Sequence, residues 1–575
     1  MNISDFLMQV RGDIRLEEAL FALVEIAANI KTGHLPVEVM RCGPLFRRGG
    51  TFQLFEGAGK AILEMDRRDC FGQIETIMDR EAEGGKGEHW MRRDASEQLV
   101  ALIGDARHVR FSFGMTAHPC LIYAMRMSER GEASTAEFCN VNADVAAFLR
   151  DLSVLLDLGD IISIETAWPW ALHRTKAPDI EVMLPPFGAY LRDDEDVSDR
   201  ILGSLGLEPG KRVRLSAEGV AIADALANAK GRAIISVCDG ALYRMVGAEP
   251  VARRNLIESG RLQAVMAVPP GLAFSNTMIR TSLLVLSEQP TVHDVARFID
   301  LGHSDIAQKG RRGRYEVLPD ARWPQLLTSD QPEVRGFVRD VSVPAIAEEN
   351  FVLTPERYLN TGPRERIEAF LEKSTVATLG DLVEMVRPVS LIEDEGGEYI
   401  LLEAAPSDVT KRGFIDSPSR SITVDRAKYI KASNQQLKPG DIVIAIKGTV
   451  GAVGMVPDEV PRENEREIWT AGQSMMILRP KPRSGLGSLA LFEYLSNPTV
   501  QEFIRSLAAG TAIQTIAMKD LTALRAPVPD AATVGEIEAS FAERQAVFDQ
   551  IAAMEERLKD IRARAWPHAQ LQADG

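Results

Sequence analysis

Between about residue 95 and residue 300, short β-rich runs alternate with helical segments, and this alternation limits the possible folds most strongly. Strands separated by helices form βαβ units, which assemble into a mainly parallel sheet covered by helices. The predicted strands are His108–Phe113, Ile161–Thr166, Ile180–Leu184, Ala233–Cys238, Leu262–Val268 and Ser282–Ser287. The sequence therefore predicts an α/β domain of the doubly wound class.

The regions on either side of this alternation differ from it. The chain has 575 residues, which is too long for one hydrophobic core and predicts two or three domains. Apolar residues at helical spacing over 15–31 and around Ala61–Met78 predict a helical N-terminal region. A stretch rich in charge and proline from Gly310 to Pro355 ends the alternation, and a β-rich part follows. The predicted division is 1–94 (helical), 95–310 (α/β), 311–375 (connecting), 376–530 (α+β) and 531–575 (one long helix).

The final segment carries apolar residues at steps of three and four in a charged, alanine-rich background, which predicts a long amphipathic helix. These residues are Val534, Ile537, Phe541, Phe548, Ile551, Met554, Leu558 and Ile561. Two interpretations stay open. The helix either lies on its own domain or serves as a coiled-coil spacer or partner helix.

Composition indicates a folded protein and restricts where nucleic acid could bind. Hydrophobic residues make up 45% of the chain and charged residues 26%, as in ordinary globular proteins. A net charge of −16 would repel DNA if it were evenly spread, so any DNA-binding surface must be a local basic patch. We expect a cytoplasmic protein, because the sequence shows no membrane-spanning apolar run and no signal-peptide pattern at its start.

Cysteines and histidines give no sign of a metal site. The five cysteines are scattered, without a Cys-x-x-Cys pair, which predicts reduced thiols and no zinc. The isolated His118, His173 and His303 are interpreted as structural or solvent-facing. The pair Trp168 and Trp170, between two predicted strands, is interpreted as core packing or loop anchoring rather than base stacking.

A local motif includes the predicted strand Ile180–Leu184 and the turn that follows it. Asp179-Ile-Glu-Val-Met-Leu-Pro-Pro-Phe-Gly188 places two prolines and an aromatic ring directly after a strand. Pro-Pro-Phe builds a rigid turn at the carboxyl edge of a sheet, where α/β folds place their ligands.

Later segments supply the context for this motif. Gly231-Arg-Ala-Ile-Ile-Ser-Val-Cys-Asp-Gly240, the run from Ala252 to Phe274, and Met278-Ile-Arg-Thr-Ser-Leu-Leu-Val-Leu286 follow in order. Together with the motif they resemble the adenine-N6 DNA methyltransferase subunits of type I restriction-modification systems over roughly residues 95–300. The resemblance implies a class I methyltransferase-like sheet and S-adenosylmethionine as cofactor.

The resemblance also assigns roles that this sequence fills only in part. The family's catalytic Asn is replaced by Leu184, leaving Pro185, Pro186 and Phe187 as the motif remnant. The loop Phe111-Ser-Phe-Gly-Met-Thr-Ala-His-Pro119 keeps one glycine, Gly114, and no acid. Asn140 stands where the family has a ribose-binding Glu, and Glu165 is a further cofactor-binding candidate. Leucine cannot accept a hydrogen bond, so these departures predict degraded cofactor and catalytic motifs.

The C-terminal part contains a second strong pattern. Leu437-Lys-Pro-Gly-Asp-Ile-Val-Ile-Ala-Ile-Lys-Gly-Thr-Val-Gly-Ala-Val-Gly-Met-Val-Pro457 predicts a β-hairpin whose first strand alternates in burial. With Gly472-Gln-Ser-Met-Met-Ile-Leu-Arg-Pro480 and Ala509-Gly-Thr-Ala-Ile-Gln-Thr-Ile-Ala-Met-Lys-Asp-Leu521 it resembles a target-recognition domain of type I specificity subunits. The resemblance covers roughly residues 376–565 and implies double-stranded DNA as the ligand.

Basic residues concentrate in the same part of the chain. Between Val409 and Gly440 the sequence contains seven basic residues and only two acidic ones, Asp416 and Asp425. This local excess of positive charge can neutralise phosphates. The predicted DNA-binding residues are Lys411, Arg412, Arg420, Arg426, Lys428, Lys431, Lys447 and Gln514. For any single cation, a solvated surface charge is an equally good interpretation.

Three functional hypotheses follow from these patterns. The first is a sequence-specific DNA-binding protein of a restriction-modification or related defence system, with a degenerate methyltransferase fold. The second is a working adenine-N6 DNA methyltransferase with divergent motifs, and the third is a protein-interaction scaffold. The implied partners are DNA, restriction or modification subunits, and a second copy of the chain bound through the last helix.

Overall fold

The computed structural model describes most of the chain. The described residues are 2–10, 15–33, 41–42, 51–83, 90–172, 177–191, 197–207, 215–245, 247–274, 277, 279–289, 291–310, 314–328, 332–360, 362–394, 396–460, 466–508 and 514–564. The chain divides into two compact units, Met1–Leu359 and Asn360–Gly575.

The first unit combines helices and one large sheet. Its helices are α1 (Ile3–Val10), α2 (Leu16–Thr32), α3 (Thr51–Leu63), α4 (Arg67–Glu83), α5 (Arg93–Ile103), α6 (Ala117–Arg130), α7 (Ala143–Leu155), α8 (Asp199–Ser204), α9 (Ala217–Asn228), α10 (Asp239–Tyr243), α11 (Glu249–Glu258), α12 (Val343–Glu348) and α13 (Pro355–Leu359). Its strands are β1 (His108–Ser112), β2 (Thr135–Cys139), β3 (Ile162–Glu165), β4 (Ile180–Met183), β5 (Arg232–Cys238), β6 (Leu262–Val268), β7 (Thr281–Leu286), β8 (Val295–Asp300), β9 (Ala307–Lys309), β10 (Tyr315–Val317) and β11 (Val338–Ser342).

Nine of these strands form one sheet in the order β3-β2-β1-β4-β5-β7-β6-β8-β11. Strands β3, β2, β1, β4 and β5 are parallel, and β7 runs antiparallel between β5 and β6. The strand order reverses between β1 and β4, which is the switch point of a doubly wound sheet. The predicted α/β class and all six predicted strands are confirmed.

Hydrophobic cores lie on both faces of this sheet. Val109 of β1 and Val182 of β4 join the core that contains the N-terminal helices, whereas Met183 and Ile235 join the core that contains α9 and α11. A parallel sheet covered on both faces needs strands that are apolar at nearly every position. This explains why the strands were recognisable as short continuous apolar runs.

The N-terminal helices differ from the prediction in one place. The helical pattern around Ala61–Met78 is divided between α3 and α4. Asp66 accepts a hydrogen bond from the main-chain NH of Arg68 at 2.8 Å and so caps the start of α4. The predicted helical pattern did not mark this break, because apolar spacing continues across it.

The second unit contains the remaining helices and three smaller sheets. Its helices are α14 (Gly362–Leu371), α15 (Leu379–Leu382), α16 (Arg426–Ser433), α17 (Ser488–Ser496), α18 (Pro498–Leu507), α19 (Met518–Ala523) and α20 (Ala531–Arg564). Its strands are β12 (Val376–Thr378), β13 (Val383–Val386), β14 (Tyr399–Ala404), β15 (Arg420–Val424), β16 (Ile442–Ala445), β17 (Val453–Met455), β18 (Glu467–Ala471), β19 (Met475–Pro480) and β20 (Arg525–Pro527). The sheets have the orders β13-β19-β16-β17, β15-β14-β18 and β12-β20.

The predicted hairpin is present as β16 and β17, which pair antiparallel with Val443 opposite Gly454. The predicted alternation in burial was wrong, because every residue of β16 is buried. Strand β16 lies between β19 and β17, and its two faces contact different hydrophobic cores. Asp441 directly precedes the strand and accepts two hydrogen bonds, of 2.8 and 2.7 Å, from the guanidinium of Arg479 in β19.

Helix α20 packs on its own domain near its start and exposes apolar side chains farther along, so the coiled-coil or partner-helix role of its outer half stays a prediction. Near its start, Phe541 packs against Phe414 and Phe492, and Arg544 forms an ion pair with Glu493. Farther along, large apolar side chains are 44% to 70% exposed, namely Val547, Ile551, Met554, Leu558 and Ile561. Residues 565–575 lie outside the described part of the chain.

The five-part division of the chain stays a prediction. The first unit includes β10, β11, α12 and α13, which fall in the segment predicted to connect two domains. Within the described ranges, no helix combines the length and apolar character that crossing a membrane requires.

Candidate functional site

Strands β3, β2, β1 and β4 end side by side at the carboxyl edge of the large sheet. The NH of Asn140 donates to the carbonyl of Glu165 at 3.1 Å, and the NH of Leu184 donates to the carbonyl of Ser112 at 3.3 Å. Gly114 follows β1 by two residues. The structure thus brings the sequence-predicted cofactor and catalytic positions to one edge, where open α/β sheets bind ligands.

The catalytic position lacks a polar side chain. Leu184 is fully buried and joins the core on one face of the sheet. After Pro185 and Pro186, the half-buried ring of Phe187 meets Phe274 edge-on, with centroids 5.5 Å apart. The turn therefore keeps its aromatic ring but offers no side-chain acceptor at its first residue.

A buried carboxyl group supports the end of this turn. Glu218 is fully buried and accepts a hydrogen bond from the NH of Cys238 at 2.9 Å. Burial raises the pKa of Glu218, although the NH groups of Cys238 and Gly188 oppose that rise. Gly188, which directly follows Phe187, has a φ of +63°. Glu218 therefore connects the Pro-Pro-Phe turn to the end of β5.

The loop after β1 is closed. Residues 108–125 are all buried, and Gly114–Thr116 form a single 3₁₀ turn. Phe113, not Gly114, takes a left-handed backbone conformation, with φ +77° and ψ 157°. Such a conformation is nearly restricted to glycine, because a Cβ atom strains it.

The two residues beside the loop differ in exposure. Asn140 is 5% exposed, and its side-chain amide lies 3.5 Å from the carbonyl oxygen of Asn142. Glu165 is exposed at the end of β3. A neutral, buried amide thus stands at the position predicted to bind ribose, and the exposed carboxylate belongs to the neighbouring strand.

A cleft of about 480 Å³ lies beside the N-termini of α6 and α7. Its lining includes Glu25, Arg41, Trp90 and Asn142. Trp90 is 3% exposed, and its indole NH has no acceptor among the described residues. Sequence analysis missed this cleft, because its lining comes from segments far apart in the chain and no motif connects them.

His118 is a structural residue at the start of α6. It is fully buried, with Nδ1 2.6 Å from the carbonyl oxygen of Met91 and Nε2 2.7 Å from Oε1 of Glu75. Trp90 stacks on its ring at 4.1 Å. The structural interpretation of His118 agrees with this geometry, and His173 lies outside the described residues.

In the second unit, three of the predicted DNA-binding cations form ion pairs. Arg412 binds Asp549 of α20 at 2.7 Å, Arg420 binds the buried Glu403 at 2.8 Å, and Lys428 binds Asp394. In the part of this unit that the structure describes, the exposed Lys411, Arg426, Lys431 and Lys447 have no such partner. Part of the positive charge of this stretch is therefore neutralised by carboxylates of the same unit.

Two of the predicted DNA-binding residues lie next to each other. The NH of Gly448 donates to the carbonyl of Gln514 at 2.9 Å, and Lys447 pairs with Thr515 in a short antiparallel bridge. The side chains of Lys447 and Gln514 are both exposed. Residues 509–513 of the second recognition motif lie outside the described part.

Comparison with known families matches each half of the chain separately. The family model described as "N-6 DNA Methylase" matches residues 169–366. The model described as "Type I restriction modification DNA specificity domain" matches residues 372–561. After these matches, residues 169–366 are called the methylase region and residues 372–561 the specificity domain.

Individual relatives cover parts of this arrangement. The methylase subunit of the type I restriction enzyme MpnII from Mycoplasma pneumoniae is 31% identical over 132 residues, 23% of this chain and 24% of that protein. The chain thus spans about a quarter of the length of this curated relative.

Two solved structures are similar at lower identity. The methyltransferase subunit of a type I system from Streptococcus thermophilus has a TM-score of 0.45 and 19% identity, covering 60% of this chain and 81% of that one. The type IIG restriction endonuclease BpuSI has a TM-score of 0.41 and 10% identity, covering 94% of this chain and 74% of that one.

The match to N-6 DNA methylases implies S-adenosylmethionine, but the carboxyl edge of the large sheet does not fit this cofactor. The cofactor needs an accessible loop after the first strand and an acid after the second. Here the loop is buried, Phe113 occupies the left-handed position, and Asn140, which the sequence analysis predicted at the position of the acid, carries no charge. The family match itself begins after β3, so it includes Leu184 but not Gly114, Asn140 or Glu165.

Metal-binding groups and thiols offer no further chemistry in the two regions. Among the described residues, no cluster of three or more His, Cys, Asp or Glu side chains could hold a metal ion. All five cysteines are buried, and none of them forms a disulfide. Burial raises the pKa of Cys70 to about 11 and that of Cys238 to about 12, so both are uncharged thiols at neutral pH.

Proposed function

We propose that the chain is a sequence-specific DNA-binding subunit of a cytoplasmic restriction-modification or related defence assembly. In this proposal the specificity domain contacts DNA and the methylase region is a catalytically silent scaffold. The observation that carries it is the combination of a specificity domain bearing free surface cations with a methylase region whose catalytic position is the buried Leu184.

Electrostatics supports DNA contact at a restricted surface. The whole chain carries a net charge of −16, which opposes nonspecific attachment to a polyanion. Lys411, Arg426, Lys431 and Lys447 are exposed on the specificity domain, so their charges are available to phosphates. The cations of Arg412, Arg420 and Lys428 are already neutralised by carboxylates and contribute less.

DNA binding at increasing salt concentration tests this surface. Each phosphate contact adds about 0.9 to the slope of log affinity against log salt. The double variant Lys431→Ala/Lys447→Ala should bind a specific duplex more weakly, with a slope smaller by about 2. The matched control is Arg335→Ala, an exposed cation of the methylase region, which should leave both quantities unchanged. Absence of salt-sensitive binding by the unmodified chain would favour the scaffold hypothesis instead.

The chemistry of Leu184, at the predicted catalytic position, supports a methylase region without activity. In the family an Asn side chain accepts hydrogen bonds from the amino group of a flipped adenine. Leu184 cannot accept them, and an unpaired amino group in a closed pocket is costly. The alternative of an active methyltransferase draws support from the retained Pro185-Pro186-Phe187 turn and from the exposed carboxylate of Glu165.

Partners follow from the specificity domain and α20. A single recognition domain reads a two-part DNA site only when it pairs with another one. The exposed apolar residues of α20 follow the alternating steps of four and three that form a coiled-coil seam. We propose that two copies associate through the outer half of α20, and that restriction or modification subunits join this assembly.

A further inference from the structure

The residue that follows β1 conflicts with its own backbone. Phe113 has φ +77° and ψ 157°, a conformation that L side chains rarely adopt and that glycine adopts freely. Strain of this kind persists only where the surrounding structure compensates for it. The contacts of the Phe113 ring are therefore informative.

The ring of Phe113 meets two tryptophans from another part of the edge. Its centroid lies 6.4 Å from that of Trp168 and 5.8 Å from that of Trp170. The two indoles stack on each other at 4.9 Å with an angle of 12° between their planes. Phe113 and Trp170 are both buried, and they share a hydrophobic core with Met183, the last residue of β4.

The position of this aromatic trio follows from the strand order. Phe113 follows β1, and the tryptophans follow β3, while β2 lies between these strands in the sheet. The trio therefore bridges the carboxyl end of β2, where Asn140 is 5% exposed. This is the edge on which a doubly wound fold binds a nucleotide-like cofactor.

We infer that Phe113, Trp168 and Trp170 form a built-in plug, which fills the cofactor position with the chain's own rings. The plug explains two observations together: the left-handed conformation of Phe113 and the burial of Asn140 at the carboxyl end of β2. The inference rests on the proposed function, because a silent methylase region has no need of an open pocket. It goes further by naming the side chains that close the pocket.

Two variants of the full chain open the plug by different routes. Phe113→Gly removes the ring and leaves the backbone in a conformation that glycine prefers. Trp168→Ala removes the outer, partly exposed indole without changing the strained turn. Phe111→Ala is the matched control, because Phe111 lies two residues earlier in β1 and belongs to the core on the opposite face.

S-adenosylmethionine is the probe, and its binding is measured by titration calorimetry and by the melting temperature. We expect no saturable binding by the unmodified chain or by Phe111→Ala. Phe113→Gly and Trp168→Ala should bind the probe saturably, at least about ten-fold more tightly than the weakest affinity the titration detects, because they raise the open population. Equally tight binding by the unmodified chain overturns the plug. The plug is also overturned if Phe113→Gly and Trp168→Ala both fold but neither binds S-adenosylmethionine.

The same protein preparations separate this inference from the proposed function. DNA affinity and adenine methylation are measured on the unmodified chain in parallel. Methyl transfer by the unmodified chain contradicts both the silent methylase region and the plug. Intact DNA binding together with unresponsive opening variants contradicts the plug alone.

Discussion

At the scale of single residues, Phe113 is an unusual case in which a side chain and its backbone have opposite preferences. Replacing glycine by alanine normally stabilises a protein by about 0.4–1 kcal/mol, because it restricts the unfolded chain. A Cβ atom at the Phe113 conformation instead costs about 1–3 kcal/mol. We therefore expect Phe113→Gly to be more stable than Phe113→Ala by about 1 kcal/mol in denaturant unfolding. The usual order, with alanine more stable, would show that the turn is not strained.

Asp239 makes the stability of the same unit depend on pH. Burial raises the pKa of Asp239 from 3.8 to about 6, despite the opposing charge of Arg280. The neutral carboxyl is thus favoured in the folded state, and its contribution is complete below about pH 4 and is lost as pH rises through about 6. Asp239→Asn should gain up to about 3 kcal/mol relative to the unmodified chain between pH 4 and pH 8.

Unfolding midpoints at the two pH values measure this difference. Asp105→Asn is the control, because Asp105 is exposed in the same unit. An equal effect of both substitutions, or no change with pH for Asp239→Asn, contradicts the assignment.

Residue types alone predicted some roles at this scale and not others. Leu184 and Asn140 were identifiable from residue type alone. A leucine side chain cannot accept a hydrogen bond from adenine, and an asparagine side chain cannot provide a charged contact to ribose, whatever their surroundings. The pairing of Arg412 with Asp549 was not, because the partners are distant in sequence and meet only when α20 packs on its domain. The conformation of Phe113 was equally hidden, because phenylalanine rarely adopts a left-handed backbone and its ring contacts, Trp168 and Trp170, are distant in sequence.

At the scale of elements, the strands beside the switch point were predicted well because burial on both faces demands apolar runs. Strand β2 was missed, because its burial is mixed and begins with the exposed Thr135. Strand β2 lies between β1 and β3, so the rings that follow those two strands meet above its end. Without β2, the sequence could not predict that Phe113, Trp168 and Trp170 come together.

Helix α20 provides the test of assembly. Leu558→Asp places a charge in the exposed apolar seam and should convert a dimer into a monomer, because a buried unpaired charge is strongly unfavourable. Glu556→Lys, on the outer face of the helix, is the matched control and should leave the dimer intact. Light scattering at micromolar concentration measures both variants and the unmodified chain. A monomeric unmodified chain rejects the proposed pairing.

At the scale of the whole molecule, two regions with opposite requirements share one chain. In our proposals, the specificity domain uses its exposed cations to bind a polyanion, whereas aromatic rings and the buried Leu184 close the carboxyl edge of the large sheet. Sequence analysis predicted this combination of regions, and the family matches confirmed it. The division of labour between recognition and chemistry stays a proposal.

Selection of bound DNA from a random-sequence pool in the presence of S-adenosylmethionine tests that division most directly. The recovered duplexes are sequenced by a long-read method that records both their sequence and N6-methyladenine. The account predicts an enriched sequence motif whose adenines are unmodified. An enriched motif that carries N6-methyladenine, or a pool without any enrichment, would contradict it.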